Sequence, residues 1–182
     1  MFDVVLITGA AGTGKTSTAE AWATSRREVA THLSHDDVLL FTKSGLASPE
    51  EQTTAEAERQ WRIALDICCA AATIYAHNQI RCAIDTFLVP ARLELWRGLS
   101  HLRAGLVVLR PSIETAVARN QARREQTGWG VPEWQVRANY DAMSAWRKDL
   151  RPLILDTTHQ SLPQVVAAID AWENSSKPAT LF

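Results

Sequence analysis

The sequence predicts a three-layer α/β fold, a parallel sheet with helices on both faces, and two observations carry that prediction. Short apolar runs at 4–7, 29–33, 80–84, 106–109 and 153–155 alternate with longer amphipathic stretches. Within these runs polar and apolar residues do not alternate, so both faces of each strand are expected to be buried, as in a parallel sheet fed by crossover helices. The second observation is a glycine-rich octapeptide, Gly9-Ala10-Ala11-Gly12-Thr13-Gly14-Lys15-Thr16, that follows the first run directly and opens the helical stretch 16–25.

Other helices carry their own start signals. Ser48-Pro49-Glu50-Glu51 combines a capping box with proline at the first helical position, and Ser161-Leu162-Pro163-Gln164 repeats the S-x-x-Q form before the last helix. Ser112, after Pro111, can cap the helix that carries Arg119 and Arg123. A single domain over 1–173 and a loose tail over 174–182 are expected, the tail containing Ser175, Ser176, Lys177 and Pro178.

The octapeptide fits G-x-x-x-x-G-K-[ST], a phosphate-binding P-loop. Backbone N–H groups of Gly9, Ala11, Gly12, Thr13 and Gly14 can turn inward around a polyphosphate. Lys15 then reaches the β- and γ-phosphates, Thr16 offers its hydroxyl to Mg²⁺, and the helix entered through Ser17 points its positive end at the same anion.

In a parallel sheet, ligands bind beyond the carboxyl ends of the strands. Aspartates stand there after three runs: Asp36 and Asp37, Asp85, and Asp156. Asp85, in Ile84-Asp85-Thr86, has the position of a Walker B carboxylate that orients Mg²⁺ through its waters, or else caps the next turn. Asp36 can accept the proton of a hydroxyl that attacks a γ-phosphate, or cap a helix beginning at Asp37. Its neighbour His35 is either structural or a proton relay.

Arg119, Arg123 and Arg124 share one helix, followed by Gln126-Thr127-Gly128-Trp129-Gly130 as a hinge. The segment 119–131 reads as a lid that brings cations to a transferring phosphoryl group, or as a solvated basic face paired with Glu125. Thr157 and Thr158, in Asp156-Thr157-Thr158-His159, follow the last strand, where they could edge a nucleotide base, with His159 at the surface. Of seven tryptophans, Trp22, Trp96 and Trp172 read as packing residues, and Trp61, Trp129, Trp134 and Trp146 either wall a substrate cleft or fill the core.

Composition excludes several classes. A net charge of −1 gives no footprint for nonspecific nucleic-acid binding. Cys68, Cys69 and Cys82 show neither metal-ligand spacing nor an even count, so buried free thiols are expected. No run approaches the length of a membrane span and no leader pattern precedes the first strand, which together point to the cytoplasm. No Asn-Lys-x-Asp base-reading motif of GTPases follows the fourth run, and the signature helix of transporter ATPases is missing.

With these residues assembled, the chain resembles the small-molecule P-loop kinases, and most closely the chloramphenicol phosphotransferase-like group. The matches are Asp36, Ile84-Asp85-Thr86-Phe87-Leu88, the Arg119-x-x-x-Arg123 pair and Asp156-Thr157-Thr158-His159. The resemblance implies a five-stranded parallel sheet in order 2-3-1-4-5, ATP with Mg²⁺, and transfer of the γ-phosphate to a hydroxyl of a small molecule such as an antibiotic, sugar or nucleoside-like compound. Asp36 is then the base, Lys15 and Arg123 stabilise the phosphoryl group, Arg119, Thr157 and Thr158 bind the nucleotide, and Thr16 and Asp85 serve the metal. The alternatives are a zeta-toxin-like nucleotide-sugar kinase, a polynucleotide 5′-kinase, or a non-catalytic NTP-binding regulator.

Overall fold

The computed structural model describes residues 1–47, 54–146, 150–175 and 181. Strands β1 (Val4–Thr8), β2 (Ala30–Ser34), β3 (Arg81–Asp85), β4 (Ala104–Leu109) and β5 (Leu153–Leu155) form one parallel sheet in the order β2-β3-β1-β4-β5. This is the predicted fold and strand order. Helices α1 (Lys15–Thr24), α2 (His35–Leu39), α3 (Ala55–His77), α4 (Ile113–Thr127), α5 (Glu133–Ala142) and α6 (Leu162–Ser175) connect or flank the strands, with a 3₁₀ helix at Pro90–Leu99.

Every residue of β1 is buried, and its side chains alternate between two cores. Val4 and Leu6 join Leu65, Trp96 and Leu99 on one face of the sheet, while Val5 and Ile7 join Trp22, Val165 and Ile169 on the other. Burial on both faces is why the run shows no polar alternation. Cys68, Cys69 and Cys82 are buried free thiols. Burial pushes the Cys68 and Cys69 thiols up to about 12, which keeps them protonated and unreactive at neutral pH.

The helix starts largely follow the sequence signals. Ser112 Oγ accepts from the Thr115 N–H, and the Gln164 side chain accepts from the Ser161 N–H at 2.8 Å. The capping box at Ser48 lies outside the described residues. The described α3 is capped instead by Thr54, whose Oγ1 accepts from the Ala57 N–H at 3.0 Å. Of the segment expected as a tail, Asn174 and Ser175 belong to α6 and Leu181 is packed into the core.

One ion-pair network sits at the end of the sheet away from the strand carboxyl ends. Glu173, only 3% exposed, is bonded by the Arg81 guanidinium, accepts from Trp22 Nε1 at 3.2 Å, and lies 3.9 Å from Arg26. Both guanidinium groups also lie over the Trp22 ring, each 4.8 Å from its centroid. Removing one member of a buried pair strands its partner without a counter-charge. Glu173→Ala is therefore expected to cost about 3 kcal/mol, read as a fall of roughly 6 to 12 °C in thermal midpoint. A midpoint within 2 °C of the parent's would show the network to be dispensable. No helix among the described residues is long and apolar enough to cross a membrane.

Candidate active site

The site lies where β1, β2 and β3 end. Beyond Thr8 the chain enters the loop 9–14, and Gly14 caps α1 in the left-handed region, at φ 91° and ψ 23°, without a side-chain cap. The first N–H groups of this ten-residue helix therefore remain available to an anion. Gly12, at φ 80°, is required for a second reason: a Cβ there would stand 2.1 Å from the Ala116 carbonyl oxygen of α4. The loop is thus packed directly against the helix that bears the arginines.

Within the loop, Thr13 Oγ1 donates to the Ala10 carbonyl at 2.9 Å, and Lys15 Nζ donates to the same carbonyl at 3.1 Å. Burial lowers the Lys15 pKa, opposed by the charges of Asp36 and Asp85, while Arg123 lowers it further. Lys15, at the start of α1, thus responds to charges carried by α2, β3 and α4, which are far apart in sequence. Gly9 is buried, Ala11 half-buried, and Ser17 exposed in the first turn of α1.

Asp85 is 1% exposed, and both of its oxygens have partners. Thr16 Oγ1 donates to Oδ2 at 2.8 Å, and His32 Nε2 lies 2.5 Å from Oδ1. The pairing of Thr16 with Asp85 fits hard-cation chemistry, since Mg²⁺ takes few protein oxygens and completes its shell with phosphate and water. His32 is a residue that sequence reasoning missed. It is diagonal to Asp85 across the β2–β3 pair, where His32 faces Ala83 and Ser34 faces Asp85 in register, and only that pairing brings the two side chains together.

The end of β2 corrects one expectation. The helix begins at His35 and not at Asp37, with Ser34 as its N-cap accepting from the Asp37 N–H at 3.4 Å. Asp36 therefore stands in the first turn with its carboxylate 76% exposed, so the capping role proposed for it falls. A hydrogen bond from His35, made when Nδ1 carries a proton, is the main influence holding the Asp36 carboxyl below the usual range, and Lys15 and Arg123 add to the lowering. Beside this pair lies Trp61, whose ring is 4.9 Å from His35 and carries the Arg92 guanidinium 5.2 Å above it. Arg92 is in turn paired with Glu58 at 3.0 Å.

The two arginines of α4 separate in space. Arg119 Nη2 donates to the Thr157 carbonyl at 3.1 Å, which anchors it at the loop after β5, whereas Arg123 is felt by Lys15 and Asp36. The Thr158 hydroxyl is engaged as well, accepting from the Ser112 N–H at 2.7 Å and donating to Asp156 Oδ1 at 2.5 Å. Thr157 is buried, with no partner for its hydroxyl among the described residues. Arg124 lines a cavity of about 350 Å³ together with Asn120, Gln121, Val131 and Glu133.

The stretch read as a hinge, 126–130, lies between two residues that bond to each other. Buried Asn120 donates to the Val131 carbonyl at 2.8 Å and accepts from the Val131 N–H at 3.2 Å, which joins α4 to the segment entering α5. Among the tryptophans, Trp22 and Trp96 are fully buried and Trp172 stacks on Phe2 at 4.8 Å. Trp61 and Trp146 are partly buried against the core, while Trp129 and Trp134 are exposed.

A family model described as an AAA domain matches residues 4–150. A comparison with curated proteins finds no match to this chain. Among solved structures, a sugar kinase from Janibacter sp. aligns with a TM-score of 0.68 at 18% identity, covering 94% of each chain. Shikimate kinase from Acinetobacter baumannii, in complex with shikimate, aligns at 0.65 and 16% identity over 96% of this chain and 95% of its own. A chain of an RNA repair complex aligns at 0.58 and 20% identity, over 77% of this chain and 43% of its own. At these identities the likeness is one of fold.

Proposed function

Because this chain belongs to the AAA domain family, with a match over residues 4–150, we propose that it is an ATP- and Mg²⁺-dependent O-phosphotransferase acting on a hydroxyl of a small molecule. An antibiotic, a sugar or a nucleoside-like metabolite fits this reading. The observation that carries it is the convergence of Lys15, Thr16, Asp36, Asp85 and Arg123 at one end of the sheet, with Thr16 bonded to Asp85 at 2.8 Å. The resemblance of the sequence at Asp36, 84–88 and 156–159 to the chloramphenicol phosphotransferase-like group supports the hydroxyl acceptor.

Each residue then has a task. The N–H groups of the loop 9–14 and of the start of α1 bind the β- and γ-phosphates. Thr16 would hold Mg²⁺ by its hydroxyl and Asp85 through bound water, and the ion when bound offsets charge on the phosphate oxygens. Asp36, whose carboxylate is exposed, takes the proton of the acceptor hydroxyl. Lys15 and Arg123 hold the charge that spreads over the transferred phosphoryl oxygens. Arg119, fixed on the Thr157 carbonyl, borders the base with Thr157 and Thr158.

Arg123→Ala is expected to slow single-turnover phosphoryl transfer by about 10²-fold or more while changing ATP affinity little, because its contact is made chiefly in the transition state. An unchanged single-turnover rate would assign Arg123 to an ordinary basic surface. The function itself is tested by an ATP-consumption screen over hydroxylated metabolites and antibiotics, with mass spectrometry to find a product heavier by one phosphoryl group. A 5′-hydroxyl oligoribonucleotide belongs in the same screen, since part of one chain of an RNA repair complex has a similar fold. ATP binding without any product from the panel would favour the regulator reading.

A further inference from the structure

His35 is a buried imidazole whose two nitrogens are treated unequally. Nε2 lies 3.1 Å from the Trp61 carbonyl oxygen, an acceptor without a proton, so Nε2 must carry the hydrogen. In the neutral ring Nδ1 is then a bare lone pair. Nδ1 is buried, has no hydrogen-bond partner among the described residues, and stands 3.8 Å from Asp36 Oδ1. Two acceptors therefore face each other, and a single proton would convert their contact into a hydrogen bond.

The geometry points to His35 and Asp36 acting as one proton-accepting unit, in which Asp36 removes the proton from the acceptor hydroxyl and His35 Nδ1 keeps it. This rests on the phosphotransferase reading. In the step, the acceptor O–H bond breaks, its oxygen forms a bond to Pγ, and the bond from Pγ to the bridging oxygen of ATP breaks to release ADP. The proton passes through Asp36 to Nδ1, while the Nε2 hydrogen stays on the Trp61 carbonyl. Product departure reopens the exposed edge of Asp36 and returns the proton to water.

The surroundings support this division of labour. The Asp36 carboxyl is a poor resting place for a proton because the charges of Lys15 and Arg123 favour its ionised form, and His35 favours it too once the proton has moved to Nδ1. The ring itself is held in place by Trp61 at 4.9 Å and Trp96 at 6.3 Å. The charged groups around the unit are Lys15 from the start of α1, Arg123 from α4, and the Arg92–Glu58 pair beside Trp61. His35 acts through Asp36 and not on the acceptor.

The test uses the whole chain at about pH 8.5, above the ordinary imidazole range. Nitrogen-15 spectra of histidine-labelled protein should show His35 as the Nε2–H tautomer with an imine-like Nδ1. Asp36→Asn, whose amide can donate to Nδ1, should move that Nδ1 resonance upfield. In a thermal double-mutant cycle, Asp36→Asn should be more favourable by about 2 to 4 °C in the parent than in a His35→Phe background, because only the parent has facing lone pairs to relieve. A hydrogen on Nδ1, or a cycle of zero or opposite sign, overturns the inference.

The activity arm measures hydrolysis of Mg·ATP with water as the acceptor. His35→Phe should lower kcat about tenfold or more without changing KM for ATP. Parent protein that neither binds nor hydrolyses Mg·ATP would defeat the phosphotransferase reading, while the spectra and the cycle still decide whether the pair lacks a proton.

Discussion

Asp36→Asn is expected to lower phosphoryl transfer by about 10²- to 10⁴-fold, the range by which a positioned general base accelerates proton removal. The substitution preserves shape and removes only the proton-accepting charge. Because Ser34 and not Asp36 caps α2, and because the Asp36 carboxylate is largely exposed, the fold has no structural need for the charge. ATP affinity should stay within a few-fold of the parent and the thermal midpoint within a few degrees. Asp37→Asn serves as the control: its side chain is exposed and shows no hydrogen-bond partner among the described residues, so turnover should be unchanged. Full activity in Asp36→Asn, measured on the product found by the screen, would remove Asp36 from the chemistry.

Lys15→Met should abolish the interaction with the β- and γ-phosphates and depress turnover by about 10³-fold or more. The folded protein should not suffer. Burial already lowers the Lys15 pKa, so the folded state disfavours the ammonium and an apolar side chain of similar length relieves that penalty. By linkage, a lowered lysine pKa means that folding is less favourable below that pKa, where the charge must be buried, than above the unfolded value. The variant should therefore match or exceed the parent in thermal midpoint at neutral pH and show a smaller gain on going to alkaline pH. An active Lys15→Met enzyme would be fatal to the phosphotransferase reading.

Much of the site could be read in the sequence because its parts are local. The octapeptide 9–16 encodes its own conformation, since glycine at 12 and 14 permits the left-handed turns and the following helix supplies the N–H groups. The aspartates were found by their place at the ends of apolar runs, which needs only the strand boundaries and not the strand neighbours. Boundaries carry an error of a residue or so, and at the end of β2 that error mattered: a helix start at Asp37 left Asp36 a capping role, whereas a start at His35 removes it.

The residues that were not legible are those whose role depends on a distant partner. His32 reaches Asp85 only because β2 and β3 are adjacent and in register, and Glu173 is satisfied by Arg81 of β3, Trp22 of α1 and Arg26 just beyond α1. Arg119 and Arg123 are alike as a sequence pair, yet one is anchored at Thr157 in the loop after β5 and the other is felt by Lys15 and Asp36. Asn120 is buried in a helix whose neighbouring polar residues are exposed, because its side chain closes on both backbone groups of Val131.

By itself the sequence determined the α/β layering and the phosphate-binding loop, because periodicity and glycine-dependent backbone turns are properties of consecutive residues. Which histidine faces which aspartate, and which nitrogen of His35 is left without a proton, was decided only by the tertiary structure. Those contacts join residues such as His32 and Asp85, 53 positions apart, whose meeting is set by sheet order and packing and leaves no local trace.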